Sequence, residues 1–116
     1  MIRKPDEFRK LTREAVRGGS GTVYQRYALH KDETEGKGPF RMVAFLSLEP
    51  GTVIGTHPHE TDAEVFLVLA GKGIYIEDGN EYSVGPGDFM MAGRGQTHGL
   101  KNPGEEPLEI IAVIAE

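Results

Sequence analysis

The sequence predicts an all-β protein, a sandwich or closed barrel built from short strands. Three observations carry that prediction. Glycine and proline together supply 23 of the 116 residues, and glycine alone supplies 16, about twice its average use of ~7%. From Phe40 onward, β-rich apolar segments alternate with turn residues at the spacing of roughly 8–12 positions that marks sandwiches and barrels. After residue 22 no segment has the length and apolar spacing of an ordinary helix.

The elements follow in order. Residues 1–22 admit two readings. Pro5-Asp6-Glu7 can open a short helix, with Phe8, Leu11 and Ala15 along one face and Gly18-Gly19 ending it. The apolar face is thin and the basic residues surround it, which suits an extended arm equally well. Residues 22–29 (TVYQRYAL) are rich in β-formers and read as a strand. Residues 31–38 are polar and read as a surface loop. The strands then expected are 41–48, stopped by Pro50-Gly51; 52–59; 63–70, the most apolar, turned by Gly71-Lys72-Gly73; 74–77 and 81–84, joined by Asp78-Gly79-Asn80; 89–92; 98–101; and 108–115. The Asp-Gly pair is a strong hairpin signal because such turns require positive φ. Residues 1–39 are read as an N-terminal arm and first strand of the same domain, and residues 40–116 as the barrel. Tyr24, Tyr27, Tyr75 and Tyr82 read as sheet residues, and Met90-Met91 as core and barrel wall.

Composition closes several routes. The chain carries 13 basic against 18 acidic residues, a net charge of −5, whereas a nucleic-acid or anionic-membrane partner calls for a basic face. There is no cysteine, hence no disulfide, thiolate nucleophile or iron–sulfur site. The longest purely apolar runs, 65–70 and 110–115, are far shorter than the ~20 residues of a membrane helix. The start, MIRKPDEF, shows no apolar signal region, and a cytoplasmic protein is the expectation.

The chemistry lies in the histidines His30, His57, His59 and His98. His57 and His59 flank Pro58, and in a strand residues i and i+2 share a face, so both imidazoles can reach one metal ion. Glu64 follows on the next expected strand, and His98 begins a strand after a glycine-rich loop. Three imidazoles and a carboxylate suit Mn, Fe, Co, Ni, Cu or Zn and suit Ca or Mg poorly. Among the remaining polar residues, Glu60 and Asp62 read as turn carboxylates and His30 as a solvated side chain beside the charged loop. Arg94 and Gln96, in the loop before His98, are the candidate substrate contacts.

The spacing of these residues resembles a known family. Gly51, five residues, His57-Pro58-His59, four residues, Glu64, six residues, Gly71 reproduces the first cupin motif without a departure. Gly87, five residues, Gly93-Arg94-Gly95, two residues, His98, three residues, Asn102 reproduces the second with one departure. Gly93 stands where the family usually has proline, which loosens the loop before His98. The match covers residues 51–102, and the segments beside it resemble the neighbouring strands of small single-domain cupins. The resemblance implies a double-stranded β-helix, or jelly-roll barrel, with a metal inside its open end held by His57, His59, Glu64 and His98. It also implies one divalent transition metal per chain, with Mn or Fe favoured, and a homodimer. Asn102, before Pro103, is expected to brace a turn rather than bind metal.

The fold does not fix the chemistry. Four protein ligands leave open positions on an octahedral ion, and an open position separates a working site from a closed structural one. A divalent ion with one carboxylate ligand keeps a charge of about +1, which favours a small, oxygen-rich anion as ligand. The leading expectation is a metal-dependent enzyme of isomerase, decarboxylase or lyase type acting on such an anion. A non-catalytic carboxylate or sugar binder is the first alternative, and an iron-dependent dioxygenase the second.

Overall fold

Ten strands account for most of the chain in the computed structural model, which describes all 116 residues. They are β1 (Arg9–Glu14), β2 (Thr22–Leu29), β3 (Phe40–Leu48), β4 (Val53–Pro58), β5 (Ala63–Ala70), β6 (Gly73–Glu77), β7 (Asn80–Val84), β8 (Phe89–Ala92), β9 (Thr97–Lys101) and β10 (Leu108–Ala115). Every pairing between them is antiparallel. One sheet has six strands in the order β1-β2-β3-β10-β5-β8, and the other has four in the order β4-β9-β6-β7. Helix is confined to three single 3₁₀ turns, at Pro5–Glu7, Val16–Gly18 and Lys31–Glu33.

The jelly roll is what the alternation of the sequence dictates. In β5 the inward residues are Glu64, Phe66 and Val68, and their neighbours face outward. In β10 they are Leu108, Ile110 and Ala112. Leu46, Leu48, Phe66, Val68, Leu108 and Ile110 of the larger sheet meet Ile54, Tyr75 and Leu100 of the smaller one in a single apolar cluster. The β6–β7 hairpin turns on Asp78 and Gly79, both at positive φ (47° and 84°), the backbone of a type I′ turn.

The N-terminal segment resolves in favour of the extended reading. β1 pairs with β2 along its whole length, from Arg9↔Tyr27 to Glu14↔Thr22. The helical spacing of Phe8, Leu11 and Ala15 is therefore not used as a helix. Phe8 stacks on Phe45 with ring centroids 6.1 Å apart, while Leu11 is exposed. Through β2 and β3 the arm continues the larger sheet without a break. The expectation for Met90-Met91 holds for Met90, which is buried, while Met91 faces outward, as period-2 alternation requires.

Candidate metal centre

His57 lies near the end of β4 and sits directly opposite His98 in the pairing with β9. A register irregularity between Ile54 and His57 lets both point inward although they are three residues apart. His59 follows the strand just past Pro58 and is fixed by its backbone: its N–H donates to the Gln96 carbonyl, and its own carbonyl accepts from Gly95 N–H at 2.7 Å. Glu64 shares the inward face of β5 with Phe66 and Val68. Three ligand candidates thus come from the smaller sheet or its margin and one from the larger. All four are buried, at 8%, 4%, 7% and 1% exposure for His57, His59, Glu64 and His98.

Their donor atoms converge. His98 Nε2 lies 2.9 Å from His59 Nε2 and 3.1 Å from His57 Nε2. Glu64 Oε1 lies 3.2 Å from His59 Nε2 and 3.0 Å from His98 Nε2. All four donor atoms fall within 4.8 Å of one another, so the residues can hold one ion. The outer ring nitrogens explain why this set suits a cation. His57 Nδ1 lies 2.7 Å from the Gly55 carbonyl and His59 Nδ1 2.6 Å from Asp62 Oδ1. A carbonyl and a carboxylate only accept, so both Nδ1 atoms carry the proton and both Nε2 atoms present lone pairs. The Tyr75 hydroxyl, 3.1 Å from His98 Nδ1, can donate or accept, and it accepts when His98 turns its Nε2 lone pair inward. Three lone pairs and a carboxylate facing one point repel unless a cation or shared protons lie between them. Such outer hydrogen bonds are how proteins fix the tautomer of metal-binding histidines.

Titration follows these contacts. The Glu64 and Asp62 carboxylates raise the His59 pKa above its ordinary value, against the opposing effect of burial. Burial lowers that of His57, with the charges of His98 and Arg17 acting in the same direction. Burial alone would push the Glu64 carboxyl up, but the hydrogen bonds and charges of His59 and His98 outweigh it and hold the group below its usual range. Burial pushes the Tyr75 phenol up, so Tyr75 stays protonated and neutral.

The donors His57, His59 and Glu64 line a cavity of about 90 Å³, walled by Val16, Met42, Leu46, Ile54, Phe66 and Ile114 with Gln25. Gln25 accepts from the Tyr27 hydroxyl. The Phe66 ring stacks on His98 at 5.0 Å and restrains its rotation. Two further residues at the cavity, Arg13 and Arg17, come from the N-terminal arm, and sequence reasoning did not single them out. Arg94 and Gln96 do not line it. Arg94 is exposed. Gln96 braces its own loop, accepting from Gly93 N–H at 2.9 Å and donating to Asp78 at 3.2 Å. A proline at position 93 would lack that N–H, so the departure from the motif is matched by a hydrogen bond that ties the loop. Asp62, read from sequence as a turn carboxylate, instead holds His59. His30, read as solvated, is half-buried; its Nδ1 accepts from Asp32 N–H at 3.4 Å and caps the 3₁₀ turn at Lys31–Glu33. Asn102 is buried and braces the turn as expected, donating to the carbonyls of Leu48 and Glu106 and accepting from Gly104 N–H.

Residues 44–114 match the family model for the cupin domain. The chain belongs to the cupin family. This cupin is 33% identical to the oxalate-binding protein of Thermotoga maritima over 114 residues, 98% of this chain and 93% of that one. A crystal structure from Thermotoga maritima, described as a predicted oxalate decarboxylase, superposes with a TM-score of 0.88 at 30% identity, covering 99% of this cupin and 98% of that chain. A protein with a double-stranded β-helix domain from Klebsiella pneumoniae superposes with a TM-score of 0.71 at 26% identity, covering 98% and 88%. No helix in this cupin is long and apolar enough to cross a membrane.

Proposed function

We propose that this protein binds a small chelating carboxylate, oxalate or a close analogue, through one divalent transition metal held by His57, His59, Glu64 and His98. The observation that carries this reading is the convergence of three imidazoles, two of them oriented from outside by acceptors, and one carboxylate beside a small cavity. The name of the Thermotoga maritima relative supports the same ligand class. When bound, the metal supplies a Lewis acid for anionic oxygens. The chain's own residues orient the donors from outside, through Gly55, Asp62 and Tyr75, and Leu46, Ile54 and Phe66 form part of the apolar wall of the cavity. Three imidazole nitrogens and one carboxylate oxygen within 4.8 Å of one another suit Mn or Fe among the divalent transition metals. On a six-coordinate ion these four donors would leave room for a chelating ligand.

Binding is favoured over turnover because the cavity wall has no acid or base besides the donors themselves; the arginines stay charged. The second reading is a metal-dependent decarboxylase, isomerase or lyase, supported by the coordination positions left open. One experiment separates them: oxalate is titrated calorimetrically into Mn(II)-loaded and chelator-stripped protein, and the mixture is then assayed for formate and CO₂. The expected result is binding to the loaded form alone, with oxalate recovered unchanged. Equal binding to the stripped form would overturn the metal reading, and formate release would establish the enzyme.

We further propose a homodimer. The edge strand β8 carries Phe89 and Met91 on its outer face at 62% and 48% exposure, and unpaired edges of this kind call for cover. Light scattering at 12.7 kDa over a wide concentration range would refute it.

A further inference from the structure

The turn between β1 and β2 is built against the usual preferences of its residues. Ala15 and Arg17 both adopt the left-handed conformation, at φ 50° and 54°, which strains a non-glycine residue. The turn is nevertheless pinned. Ser20 and Val53 exchange backbone hydrogen bonds at 2.9 and 2.8 Å. The arm lies so close to β4 that a Cβ on Gly19 would meet the Val53 carbonyl at 1.8 Å, and one on Gly55 would meet the Arg17 carbonyl at 2.1 Å. The result is that Val16 enters the core and Arg17 stands at the cavity. Arg13, on β1, lines the same cavity.

Both arginines also line an outer vestibule of about 640 Å³ that shares Met42 and Ile114 with the cavity and includes Lys31, Arg41, Asp62 and Glu116. The acidic groups there are engaged. Asp62 holds His59, and Glu116 pairs with Arg41 at 2.9 Å. Neither Arg13 nor Arg17 takes part in any ion pair or side-chain hydrogen bond. An acidic chain thus places two unpaired guanidiniums between its metal-binding residues and solvent.

We propose that Arg13 and Arg17 form an anion clamp that selects dianionic chelators: the ligand meets the metal with one edge and presents its outward carboxylate oxygens to the two guanidiniums. This rests on the carboxylate-binding reading above and adds the charge that the ligand must carry. Guanidinium suits the task because its planar fork of donors matches a carboxylate and cannot be deprotonated.

The test uses full-length Mn(II)-loaded protein with oxalate and glycolate as probes. Both are two-carbon chelators, and glycolate has one carboxylate where oxalate has two. The variants are Arg13→Gln, Arg17→Asn and the double variant, with Arg94→Gln as control. Asn is chosen at position 17 because it tolerates the left-handed conformation. Metal content is measured alongside calorimetric Kd at low and high salt. Each variant should weaken oxalate about tenfold, the size of one charge-assisted hydrogen bond, and glycolate by less than about threefold. Metal content should not change, and added salt should erode the oxalate preference. Unchanged oxalate affinity in the double variant, or equal losses for both probes, would overturn the clamp while leaving metal-dependent binding in place. Metal loss in the variants would show that the arginines serve the fold and would overturn it too. Failure of both probes to bind the loaded wild-type protein would overturn the clamp together with the reading it rests on.

Discussion

Asp62→Asn tests how much of the proposed metal site lies outside its four donor residues. In the native protein the Asp62 carboxylate accepts a hydrogen bond from His59 Nδ1 at 2.6 Å, and the imidazole is only 4% exposed. Asn keeps the volume and one acceptor oxygen but removes the charge. A charge-assisted hydrogen bond is about twice as strong as a neutral one, and loss of such an outer partner lowers metal affinity by roughly 10- to 100-fold. At ~1.36 kcal/mol per decade that is about 1.4–2.7 kcal/mol. The assay is competition against a chromophoric chelator, with exposed Glu60→Gln as control. A second signature comes from metal-free protein. The pKa of His59 is raised by Glu64 first and by Asp62 as well. A raised pKa contributes stability that is present below the unfolded value of ~6.5 and is lost as pH rises through the folded value. Metal-free Asp62→Asn should therefore lose more stability at pH 6 than at pH 8. Metal affinity within about twofold of wild type, or an equal loss in Glu60→Gln, would refute the reasoning.

Three further outcomes follow from the same geometry. Metal affinity should fall as pH drops through ~6.5, because protonated imidazoles do not ligate, and should still be rising above that value because the His59 pKa is raised; calorimetric proton release near neutrality checks this, and a flat profile from about pH 6 to 8 contradicts it. Tyr75→Phe removes the hydroxyl 3.1 Å from His98 Nδ1 and should weaken metal about tenfold in the same competition assay, with little change in melting temperature. Asn102→Ala removes hydrogen bonds at 3.0, 2.9 and 3.1 Å and should cost about 2–4 kcal/mol, a fall in melting temperature on the order of 10 °C, while the folded protein still binds metal.

What could be read from the sequence was whatever depended on spacing along one or two strands. His57 and His59 share a face by period-2 alternation, and the turns at Gly51, Gly71 and Gly87 punctuate the strands. The outer partners were less accessible. Tyr75 lies between Ile74 and Ile76, so no apolar–polar alternation marks which of the three faces inward. The direction of Asp62 depends on the bend between β4 and β5, although its position three residues after His59 was a usable signal. The arginines were beyond local reading altogether. They are placed by left-handed Ala15 and Arg17, residue types that do not announce that conformation, and by the contact of Gly19 and Gly55 across more than thirty positions of chain. The same long-range contact decides between strand and helix for the arm, where local spacing supported both.

Glu64 belongs to the sheet that contains β5, whereas His57 and His98 belong to the other. An ion shared by them would therefore be a cross-link between the two halves of the barrel, beside the apolar contacts of Phe66, Ile54 and Tyr75 that also join them. Like any tie across a long loop, it restricts the unfolded and half-open chain more than the closed one. Metal should then slow the separation of the two walls, raising amide exchange protection in β4, β5 and β9 together while leaving the outermost strands β1 and β7 nearly unchanged. The ion would serve as a rivet for the rim as well as a seat for the ligand.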